Sequence, residues 1–255
     1  VDRQELNDGE SLPALDAADE GAVDRLRGSA QIAASQTFGP FNDEPESPFY
    51  AADDATPQQT WERIAERVSL ATAAAVAHGA TGQPISVENV SRLHEIIFST
   101  TFPKDAGRLR RRGEEAQYGI VIGTRERPVP SHARASAGAR VSTRLEKSCR
   151  EFNDDIETTE GRQTILLEEL VLVAVRLYAK VLSIHPFVDG NGRTAFTILQ
   201  YALVRSGLAC VALDDYAEHQ WALGAALRID SRQSYDPLQA LLVAKLQRAQ
   251  SPEDE

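Results

Sequence analysis

The chain has 255 residues, a formal net charge of −11 and a 42% hydrophobic share, enough apolar material for a real core. That acidic balance argues against direct binding to a nucleic-acid backbone, which needs a basic footprint. Two cysteines, Cys149 and Cys210, offer neither a disulfide framework nor a zinc pattern, and no apolar run approaches the ~20 residues of a membrane span.

In chain order, residues 1–24 are acidic and rich in small side chains, and residues 37–57 hold Pro40, Pro45, Pro48 and Pro57 among further acids. Residues 1–60 therefore read as an acidic, proline-rich arm, loosely ordered over the domain. A helical pattern starts at Trp61 and runs to Ala77. Tyr118, Gly119, Ile120, Val121 and Ile122 are β-branched and aromatic around a glycine, and predict a short strand or hairpin arm. Helical spacing returns over 139–152 and 164–184, where Leu166, Leu167, Leu170, Val173, Ala174, Leu177 and Val181 fall mostly on one face. Residues 194–204, 216–227 and 237–247 complete the helical set, with Pro237 at a first helical position. The domain division expected is an arm over 1–60, one domain over 61–248 and a disordered tail over 249–255. The chain lacks methionine and starts with valine. Cytoplasmic placement is the expectation, with delivery as a secreted effector as the alternative.

Between the helical segments ending at Ile184 and starting at Thr194 lies His185-Pro186-Phe187-Val188-Asp189-Gly190-Asn191-Gly192-Arg193. This loop joins an imidazole, a carboxylate, a glycine-asparagine-glycine turn and an arginine ahead of a helix N-terminus. Such a terminus offers free N–H groups and a partial positive charge, and successive N–H groups in the turn can form an anion-binding nest. Together they point to phosphoryl or nucleotidyl transfer. His185 is the candidate general base, because an unperturbed imidazole titrates near neutral pH. The bland alternative is a histidine that caps the preceding helix. Asp189 is the candidate magnesium ligand, since Mg2+ takes one or two carboxylates plus substrate phosphates; a turn aspartate is the compatible alternative. Gly190, Asn191, Gly192 and Arg193 are the candidate phosphate-binding set, against an ordinary interhelical turn with a surface arginine.

The run resembles the signature of Fic-domain proteins, H-P-F-x-[D/E]-G-N-G-R-x-x-R, and departs from it at the last position, where Phe196 replaces the second arginine. Leu93-His94-Glu95-Ile96-Ile97-Phe98 with Ala106-Gly107-Arg108 is a looser match to an upstream family pattern. The resemblance covers roughly residues 60–248. It implies a mostly α-helical Fic fold with a β-hairpin flap. Tyr118 to Ile122 would be that flap, holding the target by strand addition. It further implies transfer of a nucleoside monophosphate, AMP by default, from a nucleotide such as ATP to a protein hydroxyl, with Mg2+. In the family the second arginine is associated with the terminal phosphate of ATP. Its loss leaves open another donor (phosphocholine, UMP or phosphate as the group moved), a substitute arginine among Arg108 and Arg110-Arg111-Arg112, or a non-catalytic binding module. The nearest match to the family's inhibitory helix is Asp16-Ala17-Ala18-Asp19-Glu20-Gly21, in which Glu20 would be the autoinhibitory acid. Its first position departs from the family pattern, and the arginine it would pair with is absent.

Overall fold

The computed structural model describes residues 20–38, 56–117, 137–160, 162, 165–213 and 236–250, with helical positions at 218, 221, 222 and 225. The described elements are helices: α1 (Glu20–Thr37), α2 (Pro57–Ala80), α3 (Val87–Phe98), the short α4 (Glu114–Gln117), a 3-10 turn (Gly138–Arg140), α5 (Val141–Glu160), α6 (Leu167–Ile184), α7 (Asn191–Arg205) and α8 (Asp236–Gln250). Among the described residues there is no strand. The expected flap, Tyr118 to Ile122, lies outside them.

Helix starts follow from local chemistry. The Thr56 hydroxyl accepts from the Gln59 N–H at 3.3 Å while the Gln59 side chain accepts from the Thr56 N–H at 2.9 Å, and Pro57 takes the first helical position. Ser86 and Asn89 form the same reciprocal box at the start of α3. From there Val90, Leu93, Ile97 and Phe98 turn one face into the core.

Helix α7 is the centre of the bundle. It packs against α2, α3 and α6, and all of its residues from Asn191 to Val204 except Gly192 are buried. Its contact with α2 is close: a Cβ on Gly79 would lie 2.9 Å from the carbonyl oxygen of Tyr201. Polar side chains buried in α7 find partners. Thr194 and Thr197 donate to the carbonyls one turn back, and Gln200 pairs with both the N–H and the carbonyl of Val211, at 2.9 and 2.8 Å.

Within the segment expected as an arm, residues 20–38 form a helix that packs along α2. The burying stripe is Val23, Ala30, Ala33, Ala34 and Phe38. Alanines give a weak periodic signal in an acidic sequence, but they let the helix axes approach, and Ala34 and Phe38 join the main core. Thr37 ties down the end of α1: its hydroxyl accepts from the Leu213 N–H at 3.0 Å and lies 3.2 Å from the Leu213 carbonyl. No helix among the described residues is long and apolar enough to cross a membrane.

Candidate active site

The nine-residue motif sits where α6 ends and α7 begins. Proline at 186 disfavours the α region for the residue before it, so α6 stops at His185. His185 takes the left-handed conformation, φ 53° and ψ 63°, and its N–H still donates to Val181 at 3.0 Å. A left-handed non-glycine residue costs on the order of 1–2 kcal/mol and needs support from its surroundings. That support is Arg110, which is buried. Its Nε donates to the His185 carbonyl at 2.6 Å, a terminal nitrogen donates to the Ile184 carbonyl at 3.1 Å, and its backbone N–H donates to the Pro186 carbonyl at 2.8 Å. One arginine thus caps the carbonyls at the end of α6 and fixes the chain direction into the loop.

The His185 ring has its Nδ1 buried without a well-formed hydrogen bond. Burial lowers its pKa to about 4; the charge of Arg110 pushes the same way, and the Leu182 carbonyl opposes both weakly. The imidazole is therefore neutral at physiological pH, the form a general base requires. The backbone of His185 ends the helix, and this leaves the ring uninvolved in the cap.

Phe187 is fully buried beneath the loop and stacks on His94 of α3, with ring centroids 3.7 Å apart and planes 17° apart. The Asn191 side chain locks the backbone of Phe187 from the other side: its Oδ1 accepts from the Phe187 N–H at 2.9 Å and its Nδ2 donates to the Phe187 carbonyl at 3.0 Å. The Asn191 amide is therefore committed to the loop backbone, and what Asn191 can offer an anion is its main-chain N–H.

Asp189 is half-buried, and its Oδ1 accepts from the Gly190 N–H at 2.6 Å. The Asp189 carbonyl is held by Nε2 of His94 at 3.0 Å, while Nδ1 of His94 accepts from the Gly107 N–H at 2.9 Å. Since Nδ1 accepts, the ring proton sits on Nε2. Burial drives the His94 pKa down to about 3, so this bridge is neutral. Gly190 has φ 74°, and a Cβ there would lie 2.1 Å from the ring of Phe98. Both the backbone angle and the space demand glycine.

Helix α7 opens on Gly190 as its N-cap, and the bond from the Thr194 N–H to the Gly190 carbonyl at 3.1 Å is its first. The N–H groups of Asn191, Gly192 and Arg193 precede that bond, so they form the anion-receptive first turn. Arg193 is only 8% exposed and lies over the indole of Trp61, its guanidinium carbon 4.2 Å from the ring centroid. Phe196 is fully buried, and its ring meets that of Phe38 edge to face at 5.0 Å. The position where the motif pattern has its second arginine is here a core contact between α7 and the end of α1.

Of the other arginines, Arg108 is ion-paired with Asp105 and with Glu114, the latter at 2.9 Å, and Arg110 is engaged in the clamp. Arg111 and Arg112 are the exposed members of the run. Glu20 stands at the first residue of α1, a helix length of about 25 Å from Phe38 at the other end. The structure thus brings His185, Asp189, Gly190, Asn191, Gly192 and Arg193 into one loop and helix start. Three residues that hold this group in place are not legible as such in the sequence: His94 stands only within the looser upstream match, Arg110 only among the candidate substitute arginines and Trp61 only at the start of a helical pattern. Their partners lie far away in the chain.

Asp189 was the carboxylate expected to hold magnesium. Among the described residues no group of three or more histidines, cysteines or carboxylates gathers around a common point. A lone carboxylate beside a helix N-terminus fits an ion that takes its other ligands from phosphate oxygens and water, as magnesium does, and does not fit an all-protein cage.

The sequence profile of the Fic/DOC family matches residues 84–203. "Protein adenylyltransferase Fic" of Nematostella vectensis is 25% identical over 139 residues, which is 54% of this chain and 27% of that protein. "Protein adenylyltransferase fic-1" of Caenorhabditis elegans is 27% identical over 129 residues, 51% of this chain and 21% of that protein. The matched segment thus spans about a quarter of the length of these curated relatives. The crystal structure of a Fic domain containing signaling protein from Bacteroides thetaiotaomicron superposes with a TM-score of 0.59 at 15% identity, over 90% of this chain and 85% of that one, a likeness of fold. The motif loop with its helix start, the bundle that carries it and the match over residues 84–203 together place this chain in the Fic/DOC family.

Proposed function

We propose that this protein transfers a nucleoside monophosphate, AMP by default, from a nucleotide to a hydroxyl group of a protein. The observation that carries the reading is the loop from His185 to Arg193. It sets a neutral imidazole, a half-buried carboxylate and the open N-terminus of α7 side by side. The donor's phosphates would rest on the N–H groups of Asn191, Gly192 and Arg193, with the Arg193 guanidinium neutralising charge. Asp189 would hold magnesium, which would offset the charge of the donor's phosphates. His185 would take the proton from the acceptor hydroxyl as its oxygen bonds to the α-phosphorus. The bond from that phosphorus to the bridging oxygen of the β-phosphate breaks, and pyrophosphate leaves. A ring whose pKa is about 4 in the empty protein is a weak base. Phosphate charge arriving beside it would favour the protonated ring and strengthen it as proton transfer begins. Positioning and electrostatics then account for most of the catalysis.

Phe196 favours a second reading of the donor. Its ring is packed against Phe38, so it cannot reach a terminal phosphate. A donor that makes no γ-phosphate contact, or transfer of phosphocholine, UMP or phosphate, is the alternative this leaves. The distance between Glu20 and the Phe38 end of α1 gives no support to inhibition by Glu20. The flap role of Tyr118 to Ile122 remains part of the proposal.

The test is a donor panel. The protein and its His185→Ala variant are incubated with magnesium, candidate target proteins and each of ATP, GTP, CTP, UTP and CDP-choline, and the products are read by intact mass. The expected result is an added nucleoside monophosphate, reduced roughly 10²–10⁴-fold by His185→Ala. Equal modification by the variant would overturn the role of His185, and a different added mass would reassign the donor.

A further inference from the structure

The family match begins at residue 84, yet the motif arginine is held by a residue well before it. Trp61 lies in the second turn of α2, whose start is fixed by Thr56, Pro57 and Gln59. Thr60 and Ile64, on either side of it in the helix, are buried, so this part of α2 is anchored and cannot roll away from α7. The Arg193 guanidinium lies 4.2 Å above the Trp61 ring centroid and is largely removed from solvent.

A guanidinium over an indole is attracted through its face, by the ring quadrupole. Its N–H donors lie in its own plane, so stacking fixes the orientation of that plane. A lysine would keep the charge and lose this directionality. We propose that Trp61 is a positioning residue for Arg193, holding the guanidinium plane at the angle in which its N–H edge meets the donor's phosphates. The site is then completed by α2, outside the family-matched segment. This inference rests on the phosphate-binding role proposed for Arg193.

The chain has two tryptophans, so Trp221→Phe leaves Trp61 as the sole indole reporter. Magnesium with each of the panel nucleotides is titrated into this single-tryptophan protein and followed by fluorescence. Calorimetry on the wild type, Trp61→Leu, Trp61→Phe, Arg193→Ala and the double variant Trp61→Leu/Arg193→Ala gives the dissociation constants. Nucleotide is expected to change Trp61 emission. Trp61→Leu is expected to weaken binding by about three- to thirtyfold, with an unchanged helical signal and Trp61→Phe restoring most of the loss. In the double variant, Trp61→Leu should add nothing to Arg193→Ala. Binding by Trp61→Leu within twofold of the wild type, or full additivity in the double variant, overturns the inference and leaves the proposed function standing. If Trp61→Leu fails to fold, Trp61 emission that ignores saturating nucleotide overturns it instead. A wild-type protein that binds none of the nucleotides overturns the proposed function and this inference with it.

Discussion

Two residues near the start of α7, Gly190 and Phe196, are each confined by packing against an aromatic ring. Gly190 is confined by its φ of 74° and by the Phe98 ring, 2.1 Å from where a Cβ would sit. Gly190→Ala must push Phe98 aside or rotate the start of α7. The expected outcome is a loss of about 2–4 kcal/mol in denaturant unfolding, with nucleotide binding weakened as well. A variant as stable as the wild type would show that the loop is looser than described. Phe196 is fully enclosed against Phe38. Phe196→Arg restores the family pattern in writing but buries a charge in an apolar contact. It is expected to cost about 3–5 kcal/mol of stability, read by urea unfolding, and to loosen α1 from α7. Tighter ATP binding with undiminished stability would show that position 196 can turn to the donor.

At the scale of elements, the site is set by three contacts from outside the motif: Arg110 on the end of α6, His94 on the Asp189 carbonyl and Trp61 on Arg193. His94 makes a pH-dependent contribution whose sign can be worked out. Its folded pKa is about 3, below the ordinary value of 6.5, because burial disfavours the charged ring. Above pH 6.5 both folded and unfolded rings are neutral, so the contribution does not vary. Below pH 6.5 the unfolded chain takes up a proton that the folded ring refuses, and stability falls until about pH 3. His185 adds the same trend between pH 6.5 and about 4. Melting temperature should therefore drop as pH falls through this window, and His94→Gln, which can still accept from Gly107 and donate to Asp189, should drop less steeply. An identical slope in the two proteins would mean that the His94 ring is not held neutral.

For the molecule as a whole, the motif was legible because its residues are contiguous and their spacing alone suggests chemistry. The helical bundle was legible wherever leucine, isoleucine and valine mark one face, as over α6. What escaped reading was long-range. Arg110 and His185 are separated by 75 positions and His94 and Asp189 by 95, and no local pattern links them. Helix α1 was hidden for a different reason: its buried stripe is mostly alanine in an acidic context, so its contrast with solvent-facing positions is low. Arg110 shows how charge alone misleads. In an arginine run it looks made for phosphate, yet the fold buries it to cap a helix.

In the proposed reaction the α–β phosphate linkage of a nucleotide breaks and the α-phosphate stays on an acceptor. Two labelled forms of ATP, one carrying isotope in the α-phosphate and one in the γ-phosphate, decide this in parallel reactions with magnesium and target proteins. Protein-bound label is expected from the α-labelled donor, lost in His185→Ala, and none from the γ-labelled donor. Label retained from the γ-phosphate would show phosphoryl transfer, and would contradict the proposed reaction.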